Sequence, residues 1–348
     1  MEAFEQVHRL VCQGLERGAY PSAALAVGIG QKLYLKQAYG DCTENTLFDM
    51  ASVSKILSPT MIALRFLEDG VLRLYDSIGD FFPEAPEDKR DITILQLLTH
   101  TGGFAAHFYL SDYTSDPADA ARVILERPLA QPAGADPVYS CMGYILLGKI
   151  LEKIGGEALD ELARNYVFEP LGMKNTTYRP AGDIAPTEMD PTTGQLLRGI
   201  VHDENARFLG GISANAGVFS DLDDMIRFMK MLACGGRPDS SPAFLSPATL
   251  RAAMVNRTPD SAGEYRGLGF NLAGSPKNFL GDLMGKRACG HTGFTGTSIA
   301  LDPDTGLWVV LLTNRVCPSR NNRELVRMRS LIHNAAAAEA ARLISESN

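Results

Sequence analysis

The chain has 348 residues, 45% of them hydrophobic and 21% charged, and 41 acidic against 33 basic residues give a formal net charge of −8. A chain of this length predicts about two globular lobes, with enough apolar side chains for a core that needs neither disulfides nor a metal. The composition excludes a disordered or collagen-like chain, and the acidic balance without a basic stripe disfavours a nucleic-acid partner.

The apolar runs, the N-terminal residues and the cysteines indicate the compartment and the cofactors of the protein. The longest purely apolar run is Leu307 to Leu312, whereas a membrane-spanning helix needs about 20 residues. The first 18 residues are charged and amphipathic, unlike a secretory signal. The six cysteines are scattered and form no CxxC, which indicates free thiols. We therefore expect a cytoplasmic protein with no metal, no other cofactor and no membrane partner; its oligomeric state stays open.

The predicted elements run from strands through helices back to strands. A helix over 1–17 is followed by a hairpin of strands 23–29 and 32–39 around Gly30-Gln31, and by a helix over 52–69. Helices are then predicted at 93–100, 117–126, 140–154, 157–166, 221–233 and 247–256. Strands at 265–272, 286–291, 295–301 and 307–313 and a helix at 321–345 complete the chain.

This order predicts an α+β fold. One antiparallel sheet is built from both chain ends and flanked by the terminal helices, with a mainly helical lobe inserted between its halves. We expect a single domain over 1–348, made of an α/β lobe (about 1–75 plus 261–348) and a helical lobe (about 76–260). A doubly wound parallel sheet is disfavoured because strands and helices do not alternate regularly.

The chain lacks G-x-S-x-G, G-x-x-x-x-G-K-[ST], G-x-G-x-x-G and H-E-x-x-H, but it contains Ser52-Val53-Ser54-Lys55 at the start of the second predicted helix. Positions i and i+3 of a helix are neighbours, so Lys55 should lie beside Ser52. A serine hydroxyl needs a partner that takes its proton, and burial can lower the pKa of a lysine enough for that role. The alternative is an N-terminal cap and a solvated lysine.

Two further segments carry candidate chemistry. Tyr139-Ser140-Cys141 opens a predicted helix after a rigid loop, although a lone tyrosine there is usually a half-buried packing residue. His291-Thr292-Gly293 leads into a strand hairpin, where a glycine lets backbone N–H groups approach a developing oxyanion. The same tripeptide at His100-Thr101-Gly102 follows an apolar helix and is interpreted as a helix stop.

In this order the three segments resemble the S-x-x-K, Y-x-N and K/H-T-G motifs of the serine β-lactamase and penicillin-binding-protein superfamily. The chain is most similar to the class C branch, with its DD-carboxypeptidases, D-aminopeptidases and family VIII esterases. The resemblance covers about residues 18–316 in five blocks: FDMASVSK (48–55), LLTHTGGF (97–104), YSCMGYILLG (139–148), VHDENARFLGG…AGVFSDLDDMIRF (201–228) and GHTGFTGT (290–297). It implies a β-lactamase/transpeptidase-like fold, as the strand pattern does.

The resemblance also implies roles for single residues. Ser52 would be the nucleophile that forms an acyl-enzyme, Lys55 would help to deprotonate it, and Tyr139 would pass a proton to the leaving group and assist deacylation. The acylation base itself is left open, because it is disputed even for better-studied relatives.

The H-T-G segment would complete the site. His291 would orient Tyr139 and add positive potential, and Thr292 and Gly293 would contact the substrate. The backbone N–H groups of Ser52 and Phe294 would form the oxyanion hole.

One position departs from the family pattern, because Cys141 stands where Y-x-N has its asparagine. A thiol is a weak donor and acceptor, so amide-bearing substrates such as penicillins should be less well held. We expect Cys141 to line the substrate site and to govern substrate choice without being the nucleophile. The alternative is a small apolar residue packed away from the cleft.

The sequence leaves three functions open. The first is a serine hydrolase that cleaves small esters or amides through acyl-Ser52. The second is a D-stereospecific peptidase with the same machinery, and the third is a protein that binds or assembles without turnover. The aromatic segment 104–113 would favour an apolar acyl group if it borders the cleft, or it forms a small core under the helical lobe.

Overall fold

The computed structural model describes residues 3–238, 242–259, 263–275 and 278–347. The α-helices are α1 Glu5–Glu16, α2 Met61–Glu68, α3 Ile78–Phe81, α4 Glu87–Arg90, α5 Ile94–Leu98, α6 Ala120–Glu126, α7 Cys141–Gly155, α8 Leu159–Ala163, α9 Glu204–Phe208, α10 Leu222–Ala233, α11 Pro247–Ala253 and α12 Glu324–Ser347. The strands are β1 Ser22–Ile29, β2 Lys32–Gly40, β3 Phe48–Asp49, β4 Phe219–Ser220, β5 Asn271–Leu272, β6 Cys289–Thr292, β7 Ser298–Asp302 and β8 Leu307–Thr313.

Six strands form one antiparallel sheet in the order β2-β1-β8-β7-β6-β5. The hairpin β1–β2 turns at Gly30-Gln31, as predicted. Strand β1 also pairs with β8, with Ala24 opposite Leu312. The sheet therefore joins segments from the two chain ends, which confirms the predicted α+β architecture.

Both faces of the sheet are buried at strands β1 and β8, whose successive side chains point to opposite faces with a core on each side. Ala24 and Ala26 of β1 face a core shared with the helices of the middle of the chain, whereas Leu25 and Val27 face a second core under α1 and α12. Strand β8 divides in the same way, with Trp308, Val310 and Leu312 in the first core and Leu307, Val309 and Leu311 in the second. The apolar run 307–312 is thus a strand covered on both sides.

The helix predicted over 52–69 is present but changes its hydrogen-bond pattern twice. A 3₁₀ turn, Ala51–Val53, begins it, a π-helical segment, Ile56–Thr60, follows, and α2 completes it. Pro59 lies inside the π-helical segment. Since proline has no backbone N–H, the regular i→i−4 ladder cannot continue through it.

Two other sequence predictions need correction. Of the strand predicted at 265–272 only Asn271–Leu272 is formed, because the backbone before it bonds elsewhere: Leu268 N–H donates to Ala253 O (2.8 Å) and Gly269 N–H to Leu98 O (3.1 Å). The small sheet of β3 and β4 was missed, since two-residue strands carry no periodicity. It matters for the site because β3 ends three residues before Ser52.

Within the described ranges no helix combines the length and apolar character needed to cross a bilayer. The lobe boundaries near 75 and 261 stay a prediction.

Candidate active site

The centre of the site is the first turn of the helix that begins at Ala51. Lys55 is fully buried, and its Nζ donates to Ser52 Oγ at 3.1 Å and to the carbonyl O of Asn215 at 2.8 Å. The i, i+3 spacing thus brings the two side chains together as predicted, and the carbonyl of a distant segment holds the lysine in place.

The backbone just before Ser52 is held in an uncommon conformation. Ala51 has φ 46°, in the left-handed region that non-glycine residues rarely adopt. The carboxylate of Asp49 accepts the Ala51 N–H at 2.8 Å through Oδ1 and the His202 N–H at 2.7 Å through Oδ2. Strained backbone of this kind occurs at functional sites, where the surroundings enforce it.

The turn between β6 and β7 is fastened to the same segment. Thr295 Oγ1 donates to the carbonyl O of Asp49 at 2.6 Å, and Thr297 Oγ1 donates to that of Met50 at 3.0 Å. No acceptor for the Phe294 N–H is found among the described residues. Its side chain is half exposed and stacks on the His202 ring, with 5.5 Å between centroids.

Tyr139 packs into the site between a lysine, an arginine and a histidine. Lys55 Nζ lies 4.9 Å and the Arg266 guanidinium carbon 5.2 Å from the Tyr139 ring centroid. The His100 ring lies 4.4 Å away, and its Nδ1 accepts the Ser140 N–H at 3.0 Å. The helix α5 ends at Leu98, just before the His100-Thr101-Gly102 segment, in agreement with the predicted helix stop. The His100 ring also supports Tyr139, which was not predicted.

Three buried polar atoms around Tyr139 have no partner among the described residues: Tyr139 Oη, His100 Nε2 and His291 Nε2. His291 Nδ1 lies 2.9 Å from the carbonyl O of Thr292, so Nδ1 carries the proton and Nε2 is an acceptor. His100 has the opposite tautomer, since its Nδ1 accepts. Buried polar groups nearly always find partners, so this arrangement fits a site completed by substrate or water.

Cys141, the first residue of α7, lies in the site and not in a separate core. Its half-buried sulfur accepts from Lys55 Nζ at 3.8 Å and is hydrogen-bonded to the exposed His107 imidazole. The Cys141 N–H donates to the carbonyl O of Ala106 at 3.0 Å. The aromatic segment 104–113 therefore borders the site.

The same segment also contributes to the core. Phe104 and Leu110 are buried in it, whereas Tyr109 and Tyr113 are half exposed. Some residues of the aromatic segment thus border the site and others form part of the core, so each of the two predictions holds for different residues.

Comparison with known proteins identifies the family to which the chain belongs. The profile of the beta-lactamase family matches residues 7–331. The chain belongs to the beta-lactamase family. A relative from Escherichia coli strain K12, named as a candidate D-alanyl-D-alanine carboxypeptidase, is 28% identical over 364 residues, covering 90% of this chain and 83% of the relative.

Two solved structures share the beta-lactamase fold of this chain. EstCE1, described as a hydrolase with promiscuous acyltransferase activity, has TM-score 0.79 and 21% identity, covering 96% of this chain and 98% of EstCE1. A penicillin-binding protein homologue from Caulobacter crescentus has TM-score 0.77 and 20% identity, covering 97% of both chains. The resemblance seen in the five sequence blocks is confirmed at the level of family and fold.

Electrostatics in this beta-lactamase family member differ from expectation at His291. Burial, together with the positive charges of Lys55 and Arg266, lowers the pKa of His291 to about 3. The imidazole is therefore neutral at physiological pH, and the expected positive potential comes from Lys55 and Arg266 instead.

The pKa of Lys55 is raised, whereas the sequence analysis expected burial to lower it. Burial alone would lower it, but Cys141 and Tyr139 outweigh burial and hold the pKa of Lys55 above its ordinary value. Conversely, burial raises the pKa of Cys141, but Lys55 and His107 overcome that and lower it. The charged form of each of these two side chains thus favours the charged form of the other.

Several residues of the site escaped the sequence analysis. The sequence did contain a signal for His100, the second H-T-G tripeptide inside the LLTHTGGF block, but this tripeptide was interpreted only as a helix stop. Arg266 carried no signal, because it is a single charged residue that tertiary packing brings beside Tyr139. His107 belongs to the aromatic segment 104–113, which was considered as a border of the cleft, but no role was assigned to the histidine itself.

Gly293 is required by close packing, and its replacement is a test. A Cβ on Gly293 would lie 2.6 Å from the carbonyl O of Met50 and closer still to Thr297 Oγ1. We expect Gly293→Ala to displace the β6–β7 turn and to lower kcat/KM about 100-fold, as a misplacement of about 1 Å can. Hydrolysis of p-nitrophenyl butyrate measures this.

The control for that substitution is Gly143→Ala in α7. Its added Cβ meets only ordinary contacts, the nearest at 3.6 Å from a Leu97 side-chain carbon. Equal activity in the two variants would contradict the packing argument.

Proposed function

We propose that this chain is a serine hydrolase that cleaves small esters or amides through an acyl-Ser52 intermediate. The observation that carries the proposal is the contact of 3.1 Å between Lys55 Nζ and Ser52 Oγ, beside a tyrosine hydroxyl without a partner among the described residues. Membership of the beta-lactamase family and the hydrolase named in the EstCE1 structure support the reaction class.

Acylation begins with attack of Ser52 Oγ on the substrate carbonyl. The neutral amine of Lys55 accepts the hydroxyl proton, and the backbone N–H groups of Ser52 and Phe294 stabilise the oxyanion. Ser52 lies in the first turn of its helix, where N–H groups have no intrahelical acceptor. Preorganised donors of this kind contribute about 3 kcal/mol each to transition-state stabilisation.

Tyr139 then acts on the leaving group. Its hydroxyl donates a proton to the departing oxygen or nitrogen and takes one from the water that releases the acyl group. Lys55 and Arg266 both face the Tyr139 ring and hold it beside the amine that accepts the Ser52 proton. Neutral His291 orients substrate or water through Nε2.

The substrate class follows from the walls of the site. Cys141 takes the place of an amide that would bind a substrate's own amide, and the exposed Tyr109 ring packs on His107, the hydrogen-bond partner of Cys141, with 5.0 Å between centroids. We therefore favour small esters with an apolar acyl group. A D-stereospecific peptidase is the second candidate, because the relative from Escherichia coli is named as a candidate D-alanyl-D-alanine carboxypeptidase.

Mass spectrometry of the intact protein tests the proposal directly. The protein is mixed with p-nitrophenyl butyrate, with nitrocefin or with a D-Ala-D-Ala peptide, and the acyl adduct and its release are followed. We expect a transient butyryl adduct on Ser52. An adduct that is never released would favour the non-turnover alternative, and turnover without any Ser52 adduct would overturn the mechanism.

The raised pKa of Lys55 predicts a pH profile that rises toward alkaline pH, since only the neutral amine can accept the Ser52 proton. Cys141→Asn removes the ionisable thiol that raises the pKa of Lys55, so that pKa should fall and the rising limb of kcat/KM should move to lower pH. Initial rates from about pH 5.5 to 9.5 measure the limb. A limb that stays in place would show that Cys141 does not set the charge of Lys55.

The same variant tests substrate choice. Cys141→Asn restores the family pattern, so we expect activity on nitrocefin or the peptide to rise relative to p-nitrophenyl butyrate. The ratio of the two kcat/KM values at the pH optimum of each variant separates this effect from the pH shift. An unchanged ratio would mean that Cys141 does not select substrates.

A further inference from the structure

The sulfur of Cys141 is hydrogen-bonded to two side chains from two separate segments, Lys55 and His107. Lys55 Nζ donates to it at 3.8 Å from the helix that carries Ser52, and His107 hydrogen-bonds to it from the aromatic segment. The sulfur also lies at the first position of the 15-residue helix α7. Because it is half-buried, a small molecule that enters the site can reach it.

Other cysteines of the chain have different surroundings. The sulfur of Cys42 faces two carbonyl oxygens, those of Ala23 and Tyr39, each at 3.3 Å, and burial raises its pKa. Cys289 is fully buried, and burial raises its pKa to about 12. Since the thiolate is the reactive form, oxidants should select Cys141 over these two.

We propose that Cys141 is an oxidation site, where a hydroperoxide converts its sulfur into a covalent sulfenamide link to Nζ of Lys55. In the first step the Cys141 thiolate attacks one oxygen of hydrogen peroxide. The S–O bond forms as the O–O bond breaks, and the leaving hydroxide takes a proton from the His107 imidazolium to give water. Sulfur loses two electrons, peroxide gains them, and the product is a sulfenic acid.

The second step needs no further oxidant. Once the thiolate is gone, its charge no longer raises the pKa of Lys55, while burial still lowers it, so the ammonium more readily gives up a proton. That proton passes through solvent to the His107 imidazole, which the first step left neutral, and Lys55 becomes a neutral amine. The Nζ lone pair attacks sulfur, so that the S–N bond forms and the S–O bond breaks. The leaving hydroxide takes a proton from nitrogen and departs as water. The net reaction consumes one peroxide, releases two waters and removes two hydrogens from the protein.

The contact distance favours this product over a disulfide. Nζ is already in contact with the sulfur, and no disulfide is formed among the described residues. A thiol reductant reverses the link by attacking sulfur, displacing the Lys55 amine and then releasing the Cys141 thiol in a second exchange. The link should also abolish hydrolysis, because it removes the basic amine of Lys55. That consequence rests on the proposed function, whereas the formation of the link does not.

Peptide mapping tests the link without any substrate. Wild type and Cys42→Ser are treated with hydrogen peroxide, digested under non-reducing conditions and analysed by mass spectrometry. We expect a peptide containing Cys141 joined to one containing Lys55, with the loss of two hydrogens, in both proteins and absent after dithiothreitol. Cys141→Ser should give no such species, and His107→Gln should form it more slowly, because the proton donor to hydroxide is missing.

Two outcomes would overturn the proposal. One is oxidation confined to methionines or other cysteines, and the other is a Cys141 that retains its added oxygens with Lys55 unmodified. Both are read in the wild-type protein, so neither depends on a variant that folds. A chain that forms the link but hydrolyses nothing would refute the proposed function alone.

Discussion

Ser52→Ala should abolish hydrolysis of every substrate the wild type cleaves while leaving the fold intact. Without the hydroxyl no acyl-enzyme forms, and loss of a nucleophile lowers kcat by at least about 1000-fold. The fold should survive because Ser52 is half-buried and Lys55 keeps its hydrogen bond to the Asn215 carbonyl. Initial rates with p-nitrophenyl butyrate and the circular dichroism spectrum measure the two effects.

Ser54→Ala is the matched control two residues further along the chain. Ser54 is fully buried and its Oγ accepts the Val218 N–H at 3.1 Å, so its loss leaves a buried donor unpaired at a cost of about 1–3 kcal/mol. We expect this control to lose stability and keep most of its activity, the reverse of Ser52→Ala. More than a tenth of wild-type activity in Ser52→Ala would remove Ser52 from the role of nucleophile.

Lys55→Ala and Tyr139→Phe should each cost nearly as much activity as Ser52→Ala, and the double variant should be hardly worse than either. Groups that move protons as one unit give losses that do not add. The contacts support a single unit, since Lys55 Nζ reaches Ser52 Oγ and lies 4.9 Å from the Tyr139 ring centroid. The kcat/KM values of the four proteins complete the double-mutant cycle.

Lys55→Met serves as the control for packing, because Lys55 is completely buried and alanine would leave a cavity. Methionine keeps most of the volume and removes only the amine, so it should be as inactive as alanine and more stable. Losses that multiply in the double variant would indicate that Lys55 and Tyr139 act independently.

The positions of the main groups could be predicted from the sequence, but their charges could not. Ser52 and Lys55 meet because helical spacing brings i and i+3 together, which is a local property. The charge of His291 depends on Arg266 and Lys55, and that of Lys55 on Cys141, 86 positions away. Burial and partners from distant segments decide protonation, and sequence spacing carries no information on either.

The same division between local and distant causes holds for the fold. Strands β1, β2 and β8 were predicted because alternation or a continuous apolar run marks them. The strand predicted at 265–272 was largely wrong because Leu268 and Gly269 in its middle donate to the last residues of α11 and α5, Ala253 and Leu98. Those partners come from elsewhere in the chain and leave no trace in the local pattern.

The pairing of β1 with β8 has a consequence for how the chain is made. Ala24 lies opposite Leu312, so two neighbouring strands of the sheet are separated along the chain by nearly the whole length of the protein. During synthesis β1 emerges early, and the edge that pairs with β8 stays without its partner until residue 313 leaves the ribosome. Such distant contacts slow folding, and an unpaired apolar strand attracts other chains. The sheet that holds the hydrolytic groups together is therefore completed late, and protection by a chaperone matters most for chains that have not yet reached residue 313.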